Sequence, residues 1–154
     1  MKTVTLIKEK EELEHQARSM GARFFGVADL TAARQAITAQ GGEFLKAFPR
    51  ALSIGIALTD GIVDQLPDHK KVTVARTYDY LYNTVNRSLD RIALRLSGIL
   101  NEHGFRTLLI PASDTVDKEN LLGVFSHKLA ARLAGLGWIG PNCLLITPEA
   151  GPRV

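Results

Sequence analysis

The stretch at residues 125–154, FSHKLAARLAGLGWIGPNCLLITPEAGPRV, decides how the rest of the chain is read. Leu129, Ala130 and Leu133 recur at helical spacing, Ser126 is placed to cap that short helix, and Gly135 stands where a left-handed residue would end it. Four glycines, Gly135, Gly137, Gly140 and Gly151, fall within seventeen residues around the single tryptophan, Trp138. Glycine is costly in regular structure, so such a cluster marks positive φ or a close approach to the backbone. Residues 143–147 (CLLIT) then read as a buried strand stopped by Pro148. A helix, a glycine turn and a strand result, with the peptide N–H groups of the turn facing whatever lies above them.

Working outward, residues 9–20 place Leu13, Ala17 and Met20 on one face, with glutamates early and Arg18 late, as the helix dipole favours. Gly21 ends that amphipathic helix. Residues 24–28 form a short strand, and Asp29 or Thr31 can cap a second helix that reaches about Ala39. A helical turn follows at residues 43–48. Residues 51–58 are apolar almost throughout, which predicts an interior strand covered on both faces. The polar stretch at residues 59–71 is a surface loop long enough to serve as a lid or binding edge. The longest helix is expected over residues 77–102, with Leu81, Val85, Leu89, Ile92, Leu96 and Ile99 as its apolar seam. Tyr78 and Tyr82 share one face of it and Tyr80 points away. Residues 106–111 (RTLLIP) read as a third strand, and residues 112–124 as a polar loop. The first two strands are separated by irregular helices, which argues against a doubly wound parallel sheet.

A chain of 154 residues is read as one domain with its own core, residues 1–154. Its 19 basic and 16 acidic residues give a mildly positive +3, which does not by itself indicate a nucleic-acid surface. Arg87, Arg91 and Arg95 nevertheless form a basic stripe on one helix face, whose plainest reading is a solvated surface with Asp90 nearby. The N-terminus has no sustained apolar region and no stretch suits a membrane span, so no membrane partner is expected. One cysteine excludes an internal disulfide framework and any cluster or zinc site built from several thiolates of this chain. A reducing, cytoplasmic setting fits.

Several kinds of chemistry are excluded by spacing. GLGWIG formally matches G-x-G-x-x-G, but it follows a helix and precedes a strand, the reverse of what pyrophosphate binding requires. His15, His69, His103 and His127 are scattered, so no metal site is expected. His127 stands with Ser126 and Lys128 at the start of a helix, where it reads either as a surface or cap-supporting histidine or as a contact to a cofactor edge or phosphate; Lys128 favours an anion there. Cys143, in the expected buried strand, reads as an inert small hydrophobe.

AGLGWIG, followed by LLIT and then E-x-G, resembles the motif of epoxyqueuosine reductases and the broader group of iron-sulfur proteins that share their N-terminal region. Residues 21–29 (GARFFGVAD), 50–58 (RALSIGIAL) and 78–96 resemble the same family's first strand, second strand and long helix, in order. The resemblance implies an α+β fold, a mixed sheet flanked by helices on both faces, nitroreductase-like and cobalamin-reductase-like. It also implies a corrinoid (cobalamin) cofactor. Gly135, Gly137 and Gly140, with Ile139 between them, would let bare main chain approach a flat macrocycle, Trp138 would pack beside it, and Tyr82, Ser126, His127 and Lys128 would meet its polar edge. FMN, bound as in nitroreductases, is the alternative cofactor. A non-catalytic domain that binds RNA or protein through the arginine stripe is the alternative function.

The chain departs from the family's pattern in three places. The proton-donating aspartate after the third strand has no clear counterpart, Asp114 and Asp117 being the candidates. Pro141 stands where the family commonly has lysine, removing an N–H donor and a charge. The cysteine-rich ferredoxin motifs that feed electrons to the cofactor are not in these 154 residues. Activity is therefore expected to need an iron-sulfur electron-donor region or protein, with tRNA as a further partner that the resemblance implies.

Overall fold

A computed structural model describes residues 2–154, with side chains from Glu9 onward. Helix α1 spans Lys2–Ser19, beginning earlier than its apolar periodicity suggested, and buries Leu13 and Ala17 while Met20 stays exposed. Arg18 fastens its last turn: the guanidinium bonds Glu14 Oε1 at 2.7 and 2.9 Å and donates to the Arg23 carbonyl at 2.8 Å. Strand β1 (Phe24–Asp29) then pairs antiparallel with β2 (Arg50–Gly55). The residues between them form a 3-10 turn at Thr31–Ala33, helix α2 (Arg34–Gly41) and a second 3-10 turn at Glu43–Ala47. Asp29 Oδ1 accepts from the Thr31 N–H at 2.8 Å and so opens the first 3-10 turn; α2 itself has no side-chain cap.

The β1–β2 register sorts side chains onto two faces, because alternate residues of a strand point opposite ways. Phe25 lies opposite Ile54 and Val27 opposite Leu52, and these four join Leu13, Ala17, Ile92, Leu96 and Ile99 in one core. Ala28 lies opposite Ala51, and both join Leu30, Ile37, Leu45, Leu129 and Leu133 in the other. The ribbon is thus held between α1 and α4 (Val72–Glu102) on one face and α2 and α5 (His127–Leu133) on the other. Gly26 permits the second contact, since a Cβ there would lie 2.9 Å from the Ala134 Cβ and 3.1 Å from a Leu136 methyl.

The fold is α+β with helices on both faces of the ribbon, but its strands form two small antiparallel sheets where a single mixed sheet was expected. Residues 106–111, read as the third strand, form no strand and join no sheet among the described residues. Their neighbours are held by other bonds: the Phe105 N–H donates to the Leu100 carbonyl at 2.9 Å, and the Ala112 N–H to Asp90 Oδ1 at 2.9 Å. The guanidinium of Arg106 sits 5.9 Å above the Phe48 ring. With no strand beyond it, β2 is half-buried along most of its length and not enclosed on both faces.

The second sheet is the hairpin of β3 (Trp138–Ile139) and β4 (Leu145–Ile146). The buried strand read at residues 143–147 is therefore shorter, and Cys143 is exposed at φ 60° in the hairpin turn. Asn142 shapes that turn by accepting from the Leu144 N–H at 3.2 Å, and the Cys143 N–H donates to the Gly140 carbonyl at 3.0 Å. The loop at residues 59–71 holds helix α3 (Asp60–Val63) and a 3-10 turn at Leu66–Asp68. Arg153 anchors this loop through Asp60 and Asp64, and those two carboxylates hold its guanidinium more firmly protonated than usual. Among the described residues no helix is long and apolar enough to cross a membrane.

Gly26→Val should cost about 1–3 kcal/mol, by overpacking the contact between β1 and Ala134. Urea denaturation followed by circular dichroism measures it, with Val27→Ile as a control on the opposite face.

Candidate functional site

The N-terminal half of α4 does not continue the packing of its C-terminal half. Ile92, Leu96 and Ile99 are buried, whereas Val85 and Leu89 of the same seam are half-buried and face an open cleft. β2 and residues 105–110 border the same space, which continues past the ribbon to Leu13 and Val27 on one face and Leu30, Ile37 and Leu45 on the other, measures about 1470 Å³ over that whole extent, and has mostly apolar walls.

Polar side chains gather on its boundary where residues 111–113 pass between α4 and α5. Tyr82 and Ser113 share a hydroxyl–hydroxyl bond of 2.7 Å, and Tyr78 stacks on Tyr82 with ring centroids 6.5 Å apart. His127 Nε2 lies 2.7 Å from the Pro111 carbonyl; a carbonyl only accepts, so this bond places the proton on Nε2. Lys128 donates to the Cys143 carbonyl at 2.7 Å, tying α5 to the hairpin turn. Asp90, which fastens Ala112, is a half-buried carboxylate on the cleft wall. Ser126 caps α5 as read from the sequence, its Oγ accepting from the Leu129 N–H at 3.3 Å.

The glycine bend stands apart from this cluster. A Cβ on Gly137 would lie 2.2 Å from the Ile146 carbonyl oxygen, and one on Gly140 would lie 2.6 Å from the Ile146 Cδ1. The missing side chains are therefore required by the β3–β4 pairing, and the domain's own hairpin covers the main chain that was expected to face a macrocycle. Gly135, at φ 75° and with open space around it, ends the α5 segment as expected. Trp138 and Ile139 are 52% and 39% exposed on the short hairpin strand. Ser126, Gly135, Gly137, Trp138, Ile139 and Gly140 do not line the cleft, whereas Tyr82, His127 and Lys128 do.

The candidate acids lie outside the cleft as well. Asp117 organises the turn at residues 117–122: it accepts from Asn120 Nδ2 at 2.8 Å and from the Glu119 and Asn120 N–H groups at 3.0 and 3.1 Å. These bonds, led by the Asn120 side chain, hold its carboxyl below the usual range, which makes it a poor proton donor at neutral pH. Asp114 lines no wall of the cleft. Sequence reasoning did not place Asp90, Tyr78 and Ser113 in the site. Helical spacing links Tyr78 with Tyr82, and Asp90 lies two turns further on, but nothing in the sequence shows that residues 111–113 fold back onto that face.

The rim sets hydrogen-bonding groups beside apolar walls. Lys128 gives one of its three donors to Cys143 and keeps two for acceptors, and the Tyr82–Ser113 pair presents hydroxyl oxygens. Among the described residues no three His, Cys, Asp or Glu side chains converge as metal ligands. No family model, curated protein or solved structure matches the chain.

Gly137→Ala should unpair β3 from β4 at a cost of about 1–3 kcal/mol. Urea denaturation followed by circular dichroism measures the loss.

Proposed function

We propose that this chain is the cofactor-binding domain of a reductase of the epoxyqueuosine reductase-like group, built on a nitroreductase-like fold and taking a corrinoid. The observation that carries the reading is the cleft of about 1470 Å³, apolar inside and bordered by Tyr82, His127 and Lys128. Apolar walls with a few placed polar groups are what a large cofactor with amide-bearing edges requires. Tyr82 and Lys128 would hold those edges. His127 would keep residues 111–113 in place through Pro111, and the Val85–Leu89 face of α4 would exclude water. When bound, a corrinoid supplies a reducible cobalt centre. The chain's single cysteine cannot bind an iron-sulfur cluster by itself, so the electrons would come from an iron-sulfur region or protein elsewhere.

Titration of the purified chain with hydroxocobalamin tests this reading. Binding should change the visible spectrum and raise the melting temperature; a ligand at 100 times its Kd stabilises the native state by about 2.7 kcal/mol. Lys128→Ala should weaken binding by about 0.5–1.5 kcal/mol, the worth of a hydrogen bond. An unchanged spectrum and melting temperature would reject the corrinoid. Binding of FMN instead, with a yellow preparation, would identify the nitroreductase-like alternative.

A second reading rests on the outer face of α4. Arg87, Arg91 and Arg95 are all exposed and have no carboxylate partner among the described residues, and none of them lines the cleft. This supports an RNA-binding edge that could act beside a bound cofactor. Binding of tRNA should weaken steeply with salt, and charge reversal of the three arginines should flatten that dependence by about 0.7–0.9 in log–log slope for each phosphate that is no longer neutralised. Equal salt slopes for the two proteins would exclude this edge.

A further inference from the structure

An edge strand exposes a row of unpaired N–H and C=O groups, and buried peptide groups are almost always paired. Among the described residues β2 has one neighbouring strand, β1, so the peptide groups on its outer edge meet no strand there. Residues 106–110 belong to no helix or strand, and among the described residues none of their backbone N–H or C=O groups is hydrogen bonded. Both segments border the same apolar cleft, with Val85, Leu89 and Ala93 of α4 also facing it. A ligand made mostly of hydrocarbon would leave these peptide groups unsatisfied. Extended polypeptide would satisfy them, since it carries the complementary donors and acceptors at strand spacing.

Arg153 and Val154 set the direction. The Leu58 N–H, just past the end of β2, donates to the Arg153 carbonyl at 2.8 Å, and Val154 packs beside Gly55, its Cγ2 lying 3.0 Å from where a Cβ would stand. The step from 153 to 154 therefore runs against the step from 58 to 55, as in antiparallel pairing. We infer that the cleft is the seat of one further β-strand, an extended polypeptide laid antiparallel along the free edge of β2, in line with Arg153 and Val154, with alternate apolar side chains turned toward α4. The inference rests on main-chain pairing at β2 and not on the rim side chains, but a strand seated there and a corrinoid would compete for the same α4 wall, so the strand is tested with no corrinoid present.

Joining eight alternating Val and Thr residues directly after Val154 tests it, compared with the unextended chain and with the same extension interrupted by a central proline, which cannot donate to a ladder. In the absence of any corrinoid, the alternating extension should slow hydrogen exchange of amides in the β2 segment by at least about tenfold and raise the melting temperature. It should also displace anilinonaphthalene sulfonate, which the unextended chain should bind. The proline version should do none of these. Unchanged exchange in β2, equal protection by the proline version, or an unextended chain that does not bind the dye would each overturn the inference. So would an unextended chain that dimerises with β2 protected, since a second copy would then be the occupant. Failure of hydroxocobalamin to bind leaves these readouts untouched.

Discussion

The antiparallel register of β1 against β2 is the constraint from which the rest of the domain follows. It sends Phe25, Val27, Leu52 and Ile54 toward α1 and α4, and Ala28 and Ala51 toward α2 and α5. A slip of one residue would exchange the two sets and place phenylalanine and isoleucine where only alanine fits. The small residues on the second face, with Gly26 among them, let the end of α5 approach closely. That approach fixes the start of α5, and with it Ser126, His127 and Lys128. The polar rim of the cleft is thus positioned by packing on the far side of the ribbon.

The rim residues do two things at once. His127 and Asp90 hold residues 111–112, Tyr82 holds Ser113, and Lys128 holds the hairpin turn. Side chains whose bonds are already made are preorganised, and a ligand that meets them spends little on ordering them. Residues 106–110, which have no partner strand, are fastened at both ends, by Phe105 to α4 and by Ala112 to Asp90.

Local signals were legible where local physics decides the outcome. The seam of α4, the Ser126 cap, the stop at Gly135 and both strands of the main ribbon follow from periodicity, capping chemistry and apolar runs. Signals that depend on distant partners were not. RTLLIP has strand composition, but composition does not supply the neighbour that would make it a strand. The glycine bend was rightly read as a place of close approach, yet the approaching group is Ile146, nine residues after Gly137 in the same hairpin. Cys143 has the apolar neighbours of a buried strand, and Asn142 turns it outward by opening the turn one residue earlier.

Arg153 reaches back 93 positions to Asp60. During synthesis, α1 and the β1–β2 ribbon have all their residues available early, whereas the α3 loop finds its anchor only after residue 153 has emerged. Contacts this distant in sequence carry a large closure entropy and cannot form before both partners have been made. The α3 loop is thus tied down only once residue 153 has emerged on the ribosome, and a nascent chain held before that point would leave Asp60 and Asp64 without their shared counter-ion.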